Sequence, residues 1–246
     1  MADCLIQEDK VLADWSILCD FDGTISVDDV TDILLERFGK PGWQALEKRW
    51  LNGEISSRMC MQAQIAMLNA SKEELDSAID DIRIDPAFPA FLHATRRYGW
   101  PVTIVSDGLD YAIKRILAQN GITDVPVRAN RLLQAGTRSW QLESPYANTA
   151  CKVDSGMCKC ACAKLEQKDK RLVLLIGDGA SDFCVAGDAD FVFAKYRLNE
   201  YCRQHNLHHI SILGFADAIE LLPALTGEMD DLKVAASQAL ELRVNA

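Results

Sequence analysis

Four aspartates carry the strongest chemical signal in the chain. Asp20 and Asp22 stand two positions apart in Asp20-Phe-Asp-Gly-Thr24, where the apolar run 16–21 ends. Asp178 and Asp182 follow the apolar run 172–177 in Gly177-Asp-Gly-Ala-Ser-Asp182. Carboxylates at the ends of buried strands are costly unless a proton or a cation compensates them. Oxygen donors in this number suit Mg²⁺. The plainer reading makes Asp20 and Asp178 helix N-caps, a role Asp favours, but it accounts for one acid in each turn and not for two in both. Ser106 closes a third apolar run, 102–106, and precedes Asp107-Gly108. A hydroxyl beside free amides at a helix start can cradle a phosphate, although serine there is also a common N-cap. A phosphate would need a balancing lysine.

The elements that must position these residues follow from hydrophobic patterning. The three apolar runs lack alternation, as expected of parallel strands covered on both faces. Residues 190–194 and 209–213 are further strand candidates, and helical patterns such as 111–119 lie between strands. Strands alternating with helices predict a doubly wound parallel α/β sheet. In such a sheet the ligand site lies beyond the carboxyl ends of the strands, where all three acidic or hydroxyl turns fall. Between the first two strands, residues 30–38, 43–51, 55–68 and 72–82 read as helices, punctuated by Gly39-Lys-Pro-Gly42 and Asn52-Gly53. Ser71 and Glu74 have capping-box spacing. We read 27–87 as an inserted helical cap and 1–26 with 88–246 as the α/β core; the alternative is that these helices simply cover the sheet. Residues 130–159 are expected to hold a β-hairpin and a loop. Residues 216–244 read as one or two surface helices broken near Pro223 and Gly227.

Composition narrows the function. The 246 residues are 49 % hydrophobic and 25 % charged, which is ordinary globular composition. The net charge of -10 argues against a general nucleic-acid or anionic-membrane binder. It leaves room for a small anionic substrate, because a metal ion and one lysine reverse the field locally. Residues 1–14 have neither a basic start nor an apolar stretch, and no apolar run is long enough to span a bilayer, so a cytoplasmic location is expected. Nine cysteines, an odd number in a long chain, are then expected to be reduced thiols. Cys151, Cys158, Cys160 and Cys162 crowd together but lack paired C-x₂-C knuckles, which makes zinc the lesser reading. His205, His208 and His209 do not form H-E-x-x-H and are read as structural. Lys195 and Arg197 read as a helix start.

In order along the chain, Asp20-Phe-Asp-Gly-Thr24, Ser106, a lysine and Gly177-Asp-Gly-Ala-Ser-Asp182 resemble the four motifs of the haloacid dehalogenase superfamily of phosphotransferases. The resemblance spans about residues 16–212. The insertion after the first motif is similar to the helical cap of the phosphoserine-phosphatase-like subgroup. A looser likeness, through Cys19-Asp-Phe-Asp-Gly-Thr-Ile25, Cys158-Lys-Cys160 and Ala189-Asp-Phe-Val-Phe-Ala-Lys195 running on to Leu198-Asn-Glu-Tyr-Cys202, is to the methionine-salvage phosphatases acting on 2-hydroxy-3-keto-5-methylthiopentenyl-1-phosphate.

This resemblance implies a role for each residue. Asp20 is the nucleophile that forms an aspartyl-phosphate, and Asp22 is the general acid and then the base. Mg²⁺ is held by the Asp20 carboxylate, the Asp22 carbonyl and Asp178. Asp182 orients the lysine or a metal-bound water. Ser106, the amides of Gly23 and Asp107, and the lysine hold the phosphate. The family's lysine precedes the helix before the last motif strand, so Lys159 fits best, Lys152 is second and Lys164 falls inside the helix. An acid at position 22 implies phosphatase or phosphomutase chemistry, since the superfamily's dehalogenases lack it and its transport ATPases carry Thr. A small-molecule phosphatase is thus the first expectation, a phosphomutase or phosphotransferase the second, and a non-catalytic binding module the third. A small phosphorylated metabolite is the expected partner, with no nucleic acid and no membrane. Arg49 and Arg58 are candidate substrate contacts. Phosphoserine is the runner-up substrate, with Arg58 for its carboxylate and Asp28 or Asp29 for its ammonium.

Overall fold

The computed structural model describes residues 13–227. In chain order the first elements are β1 (Trp15–Cys19), α1 (Val30–Phe38), α2 (Trp43–Leu51), α3 (Ser57–Ala66), α4 (Lys72–Asp80) and α5 (Phe88–Arg97). They are followed by β2 (Val102–Leu109), α6 (Asp110–Gln119), β3 (Val127–Gln134), β4 (Trp140–Glu143) and α7 (Lys159–Lys168). The chain then forms β5 (Leu172–Gly177), a 3₁₀ turn (Ala180–Asp182), α8 (Phe183–Ala186), β6 (Phe191–Ala194), α9 (Tyr196–Gln204), β7 (His209–Ser211) and α10 (Phe215–Leu221).

The seven strands form one sheet in the order β4-β3-β2-β1-β5-β6-β7. All neighbours are parallel except β3 and β4. Every residue of β1 is buried because helices cover both faces of the sheet's centre. The chain builds outward from β1 through β2 on one side and returns to β5 on the other. The strand order therefore reverses at β1, which opens a crevice at its carboxyl end. This is the doubly wound α/β architecture expected from the alternation of strand and helix patterns.

Two expectations are corrected here. β2 does not stop at Ser106 but runs on to Leu109, through a register shift against β3 between Ser106 and Leu109. Asp107 and Gly108 thus lie in an irregular strand, and the helix begins at Asp110. The strand can continue because Gly108 has no side chain: a Cβ there would overlap Oδ2 of Asp22. The hairpin begins at Val127, earlier than expected, because β3 first pairs with β2 and only then turns into β4.

The helical insertion leaves and rejoins the sheet through a paired crossing, with Ser26 bridged to Ile84. The amide of Val27 donates to Arg83 O and that of Asp85 to Ile25 O. Asp29 caps α1 by accepting from the Asp32 amide. Ser56 caps α3, so that helix starts at Ser57. Ser71 and Glu74 form the reciprocal capping box of α4. Leu34, Leu35, Ile65 and Leu75 from these helices share one buried cluster with Ile17 and Ile104 of the sheet. Polar contacts add to that packing. Trp140 Nε1 donates to Ala70 O at 2.9 Å, Arg138 pairs with Glu74 at 2.8 Å, and Lys72 donates to the Tyr111 hydroxyl at 2.7 Å. The expected final helices are described only as far as α10 and a 3₁₀ turn over Leu222–Thr226. The rest of that segment, and residues 1–12, lie outside the described residues.

Candidate active site

The ends of β1, β2 and β5 converge on one cavity of about 410 Å³. Asp20 follows β1 and is held to β5 by its amide, which donates to Ile176 O. Its Oδ1 accepts from the Phe21 amide at 2.7 Å. Its Oδ2 accepts from Lys159 at 2.8 Å and from the Ser181 hydroxyl at 3.2 Å. Lys159, the first residue of α7, is 1 % exposed, and its ammonium also reaches Asp182 Oδ1 at 2.7 Å. The other oxygen of Asp182 accepts from the amides of Asp178 and Gly179, which closes the 3₁₀ turn after β5. One buried ammonium thus bridges two buried carboxylates. Burial opposes that charge, but Asp182 and Asp20 together hold the ammonium well above its ordinary range.

Asp178 stands at the mouth of the same turn and accepts from the Thr24 hydroxyl at 3.3 Å. Gly23 makes room for it: the residue has φ +70°, and a Cβ would lie 2.6 Å from Asp178 Oδ2. Carboxylate oxygens of Asp20, Asp178 and Asp182 all fall within 4.8 Å of one another. Burial, reinforced by Asp182, pushes the Asp178 carboxyl up to about 6. The Asp20 carboxyl is raised well above its ordinary range by burial and then by Asp182, with Lys159 opposing. Three carboxylates against one lysine leave an excess of negative charge, so this cluster can hold a cation. The donors are hard oxygens, which fit a divalent ion such as Mg²⁺. Both oxygens of Asp182 and of Asp20 are already engaged, whereas Asp178 Oδ2 accepts no hydrogen bond among the described residues and is the oxygen left free for an ion.

Asp22 has a different fate. Its Oδ1 accepts from the Val30 amide at the start of α1 (3.0 Å), and its Oδ2 accepts from the Ser106 hydroxyl (3.3 Å). Burial and the charge of Asp29 push its carboxyl up to about 8, against the hydrogen bonds of Val30 and Ser106. That shift favours the protonated acid. Its carboxylate is not in the acidic cluster; of the expected metal ligands, only its backbone carbonyl would remain available.

Ser106 is buried, and its oxygen accepts from the Gly108 amide at 2.9 Å. The Gly23 amide has no partner among the described residues. Asp107 does more than sequence reasoning assigned to it. Its carboxylate accepts from the Met157 amide at 2.7 Å and from the Ser57 hydroxyl at 3.2 Å, while its carbonyl accepts from Asn130 at 2.6 Å. One side chain therefore ties β2 to the loop before Lys159 and to the start of α3. An Asp following the apolar run 102–106 was the available signal for this.

The other candidates fall elsewhere. Lys152 is exposed, and Lys164 is exposed on α7 near Asp188 at 3.8 Å. Arg49 pairs with Glu54 and Arg58 with Asp154 at 2.7 Å; neither lines the cavity. The insertion instead contributes Glu47, Trp50, Ser57, Cys60, Met61 and Gln64 to the wall. No cysteines gather as metal ligands among the described residues. The Cys151 thiol meets the Ser155 hydroxyl at 3.5 Å, and the eight described cysteines are free thiols. His205 stacks on Tyr201, and His209 lies in β7, both away from the cavity. Lys195 was read as a helix start, yet it is buried and its ammonium donates to Gly23 O and Thr24 O. Its position at the end of an apolar strand, like that of Ser106, was the signal that could have found it. No helix among the described residues is long and apolar enough to cross a membrane.

Comparison with known proteins completes the picture. The family model for haloacid dehalogenase-like hydrolases matches residues 17–187. A 2-hydroxy-3-keto-5-methylthiopentenyl-1-phosphate phosphatase of Brevibacillus brevis is 28 % identical over 87 % of this chain and 97 % of that protein. The enzyme of the same name from Exiguobacterium sibiricum is 29 % identical over 84 % of this chain and 95 % of that protein. Among solved structures, a substrate-bound phosphoserine phosphatase superposes with a TM-score of 0.63 at 18 % identity, covering 85 % of this chain and 97 % of that one. A phospho-aspartyl intermediate analogue of phosphoserine phosphatase gives 0.64 at 19 % identity, covering 85 % and 98 %. At those identities the structural likeness speaks to the fold.

Proposed function

The chain belongs to the haloacid dehalogenase-like hydrolases and is a phosphatase, and from that premise we propose that it hydrolyses a small phosphate monoester in two steps through an aspartyl-phosphate on Asp20. One observation carries the mechanism: Asp20 and Asp22 leave the same strand two residues apart, but the Lys159 ammonium meets Asp20 while Asp22 meets the Val30 amide and the Ser106 hydroxyl. A nucleophile must be ionised and a general acid must not be; the ammonium at Asp20 favours its ionised form against burial, and Asp22 has no such cation bonded to it.

In the first step an Asp20 oxygen attacks phosphorus, the ester P–O bond breaks, and Asp22 gives its proton to the departing alkoxide. In the second, Asp22 takes a proton from water as the water oxygen attacks phosphorus, and the bond to Asp20 breaks to release inorganic phosphate. Lys159 balances the charge of Asp20 and of the phosphate oxygens, and Asp182 keeps it in place. Ser106 and the amides of Gly23 and Asp107 hold the remaining phosphate oxygens. When bound by Asp20, Asp178 and the Asp22 carbonyl, Mg²⁺ offsets the repulsion between an anionic nucleophile and an anionic ester. Helices 27–87 serve as a cap that roofs the cavity and limits the leaving group to a small one.

The substrate reading follows the curated relatives: 2-hydroxy-3-keto-5-methylthiopentenyl-1-phosphate, in methionine salvage. The cavity supports it, since Trp50, Met61, Val153 and Phe183 offer an apolar wall for a thioether tail. Phosphoserine is the alternative. Its carboxylate would need a cation, but Arg58 is bound to Asp154 outside the wall. Asp29, Asp32 and Glu47 face the cavity instead, with Arg197 as the cation among the wall residues beyond the acidic cluster. A side-by-side panel of these two esters, a phosphopeptide and an alcohol acceptor tests the reading. The highest kcat/KM is expected for the keto-enol phosphate, with water as the acceptor. Preference for phosphoserine would replace the substrate, transfer to the alcohol would make the enzyme a phosphotransferase, and preference for the phosphopeptide would remove the cap argument.

A further inference from the structure

β6 delivers a second buried lysine to the strand-end cluster. Lys195 follows Ala194, caps α9 and is 6 % exposed. Its amide donates to Gly177 O, at the end of β5. Its ammonium donates to Gly23 O at 2.9 Å and to Thr24 O at 3.2 Å. Among the described residues no carboxylate pairs with it directly, and the fields of Asp178 and Asp85 only partly offset the burial that disfavours its charge. A buried ammonium that merely filled space would be replaceable by a hydrocarbon at less cost.

What Lys195 grips is the turn that the proposed mechanism uses. Gly23 sits there at φ +70° with an unpartnered amide, and the Thr24 hydroxyl donates to Asp178. The same turn closes on itself through the amides of Thr24 and Ile25, both donating to Phe21 O. The two outward carbonyls, of Gly23 and Thr24, are those the ammonium takes. Peptide planarity means that fixing these carbonyls fixes the planes of the turn.

We propose that Lys195 is a positioning residue for phosphoryl transfer, holding the Gly23–Thr24 turn so that its free amide meets a phosphate oxygen and Asp178 stays in register with Asp20. The proposal rests on the phosphatase reading above. It assigns Lys195 no contact with substrate and no proton transfer.

The test uses the full chain with Mg²⁺ and two variants. Lys195→Met removes both donor and charge at similar length, and Lys195→Gln is neutral and one atom shorter. Three quantities are measured: kcat with p-nitrophenyl phosphate, orthovanadate affinity by calorimetry, and the melting temperature. Lys195→Met is expected to lose about tenfold or more in kcat, with vanadate affinity falling in parallel and KM moving less, since vanadate mimics the five-coordinate phosphorus that the turn must embrace. Lys195→Gln is expected to fall between it and the parent. If either folded variant keeps kcat and vanadate affinity within about twofold of the parent, whatever its melting temperature, the proposal is overturned; should the Met variant not fold, the Gln variant decides. A parent that binds vanadate but hydrolyses no phosphate ester would sink the phosphatase reading while the vanadate comparison still judged Lys195.

Discussion

Two carboxylates two residues apart have different neighbours, and the different roles proposed for them rest on that. Asp20 faces an ammonium and Asp22 faces an amide and a hydroxyl. Asp20→Asn is expected to abolish turnover while leaving the fold and Mg²⁺-dependent phosphate binding intact, since Asn preserves shape but forms no acyl-phosphate; single-turnover assay and calorimetry check this. Asp22→Asn is expected to cost an alkyl phosphate about 10²–10⁴-fold in kcat. p-Nitrophenyl phosphate should suffer less, because its leaving group needs no proton. The pH dependence has a definite sign. Asp22 must be protonated to act, its carboxyl is pushed up to about 8, and so kcat falls as pH rises through that region. A bound divalent ion favours the carboxylate and moves the limb to lower pH. An alkaline limb equally steep for the aryl ester would remove Asp22 from the acid role. For Lys159→Ala a loss of about 10²-fold or more is expected, far above that of Lys152→Ala or Lys164→Ala. A larger loss at Lys152 would show the wrong lysine in the role.

At the scale of elements, strand ends and caps explain which segments the pattern reveals. The bounds of α1 and α2 were legible because a side-chain cap or a glycine marks their starts and glycine or asparagine closes them. The capping box of α4 was legible for the same local reason. The overrun of β2 past Ser106 was not, because it depends on Gly108 lying against Asp22, 86 positions earlier in the chain. Gly108→Ala is expected to cut kcat sharply with little change in KM, since its Cβ overlaps the Asp22 carboxylate; parent-like kcat would show that the overlap is relieved without moving the acid. Ser71→Ala should instead lower stability by about 1 kcal/mol and leave kcat unchanged. Thermal melts and steady-state kinetics of the two variants separate a turn that serves chemistry from a cap that serves the fold.

For the whole molecule, packing runs continuously from the sheet to the helices between β1 and β2. Leu34, Ile65 and Leu75 share a cluster with Ile17 and Ile104, and Trp140 bonds the backbone at Ala70. An acidic protein of net charge -10 with three carboxylates gathered in its site suits a small anionic ester only if a cation offsets the field inside. EDTA is therefore expected to silence activity reversibly, Mg²⁺ to restore it, and Zn²⁺ to restore it poorly, because the donors are oxygens. Asp178→Ala should weaken Mg²⁺ activation. Full activity after exhaustive chelation would remove the metal from the mechanism.

The sequence by itself determined the alternation of strands and helices, the run of helices between β1 and β2, and the acids that follow β1 and β5. Apolar runs, glycines and capping residues act locally, so their meaning survives in one dimension. Only tertiary structure decided which lysine reaches Asp20, that Asp107 pins a loop and the start of α3, and that Arg58 pairs with Asp154. It also showed that Lys195, which does stand at the start of α9, places a buried ammonium on the first turn. Each of these is a contact between residues from 50 to 172 positions apart. A charged side chain's partner is set by which strand ends meet in space, and the sheet order that brings them together is not written in any local pattern.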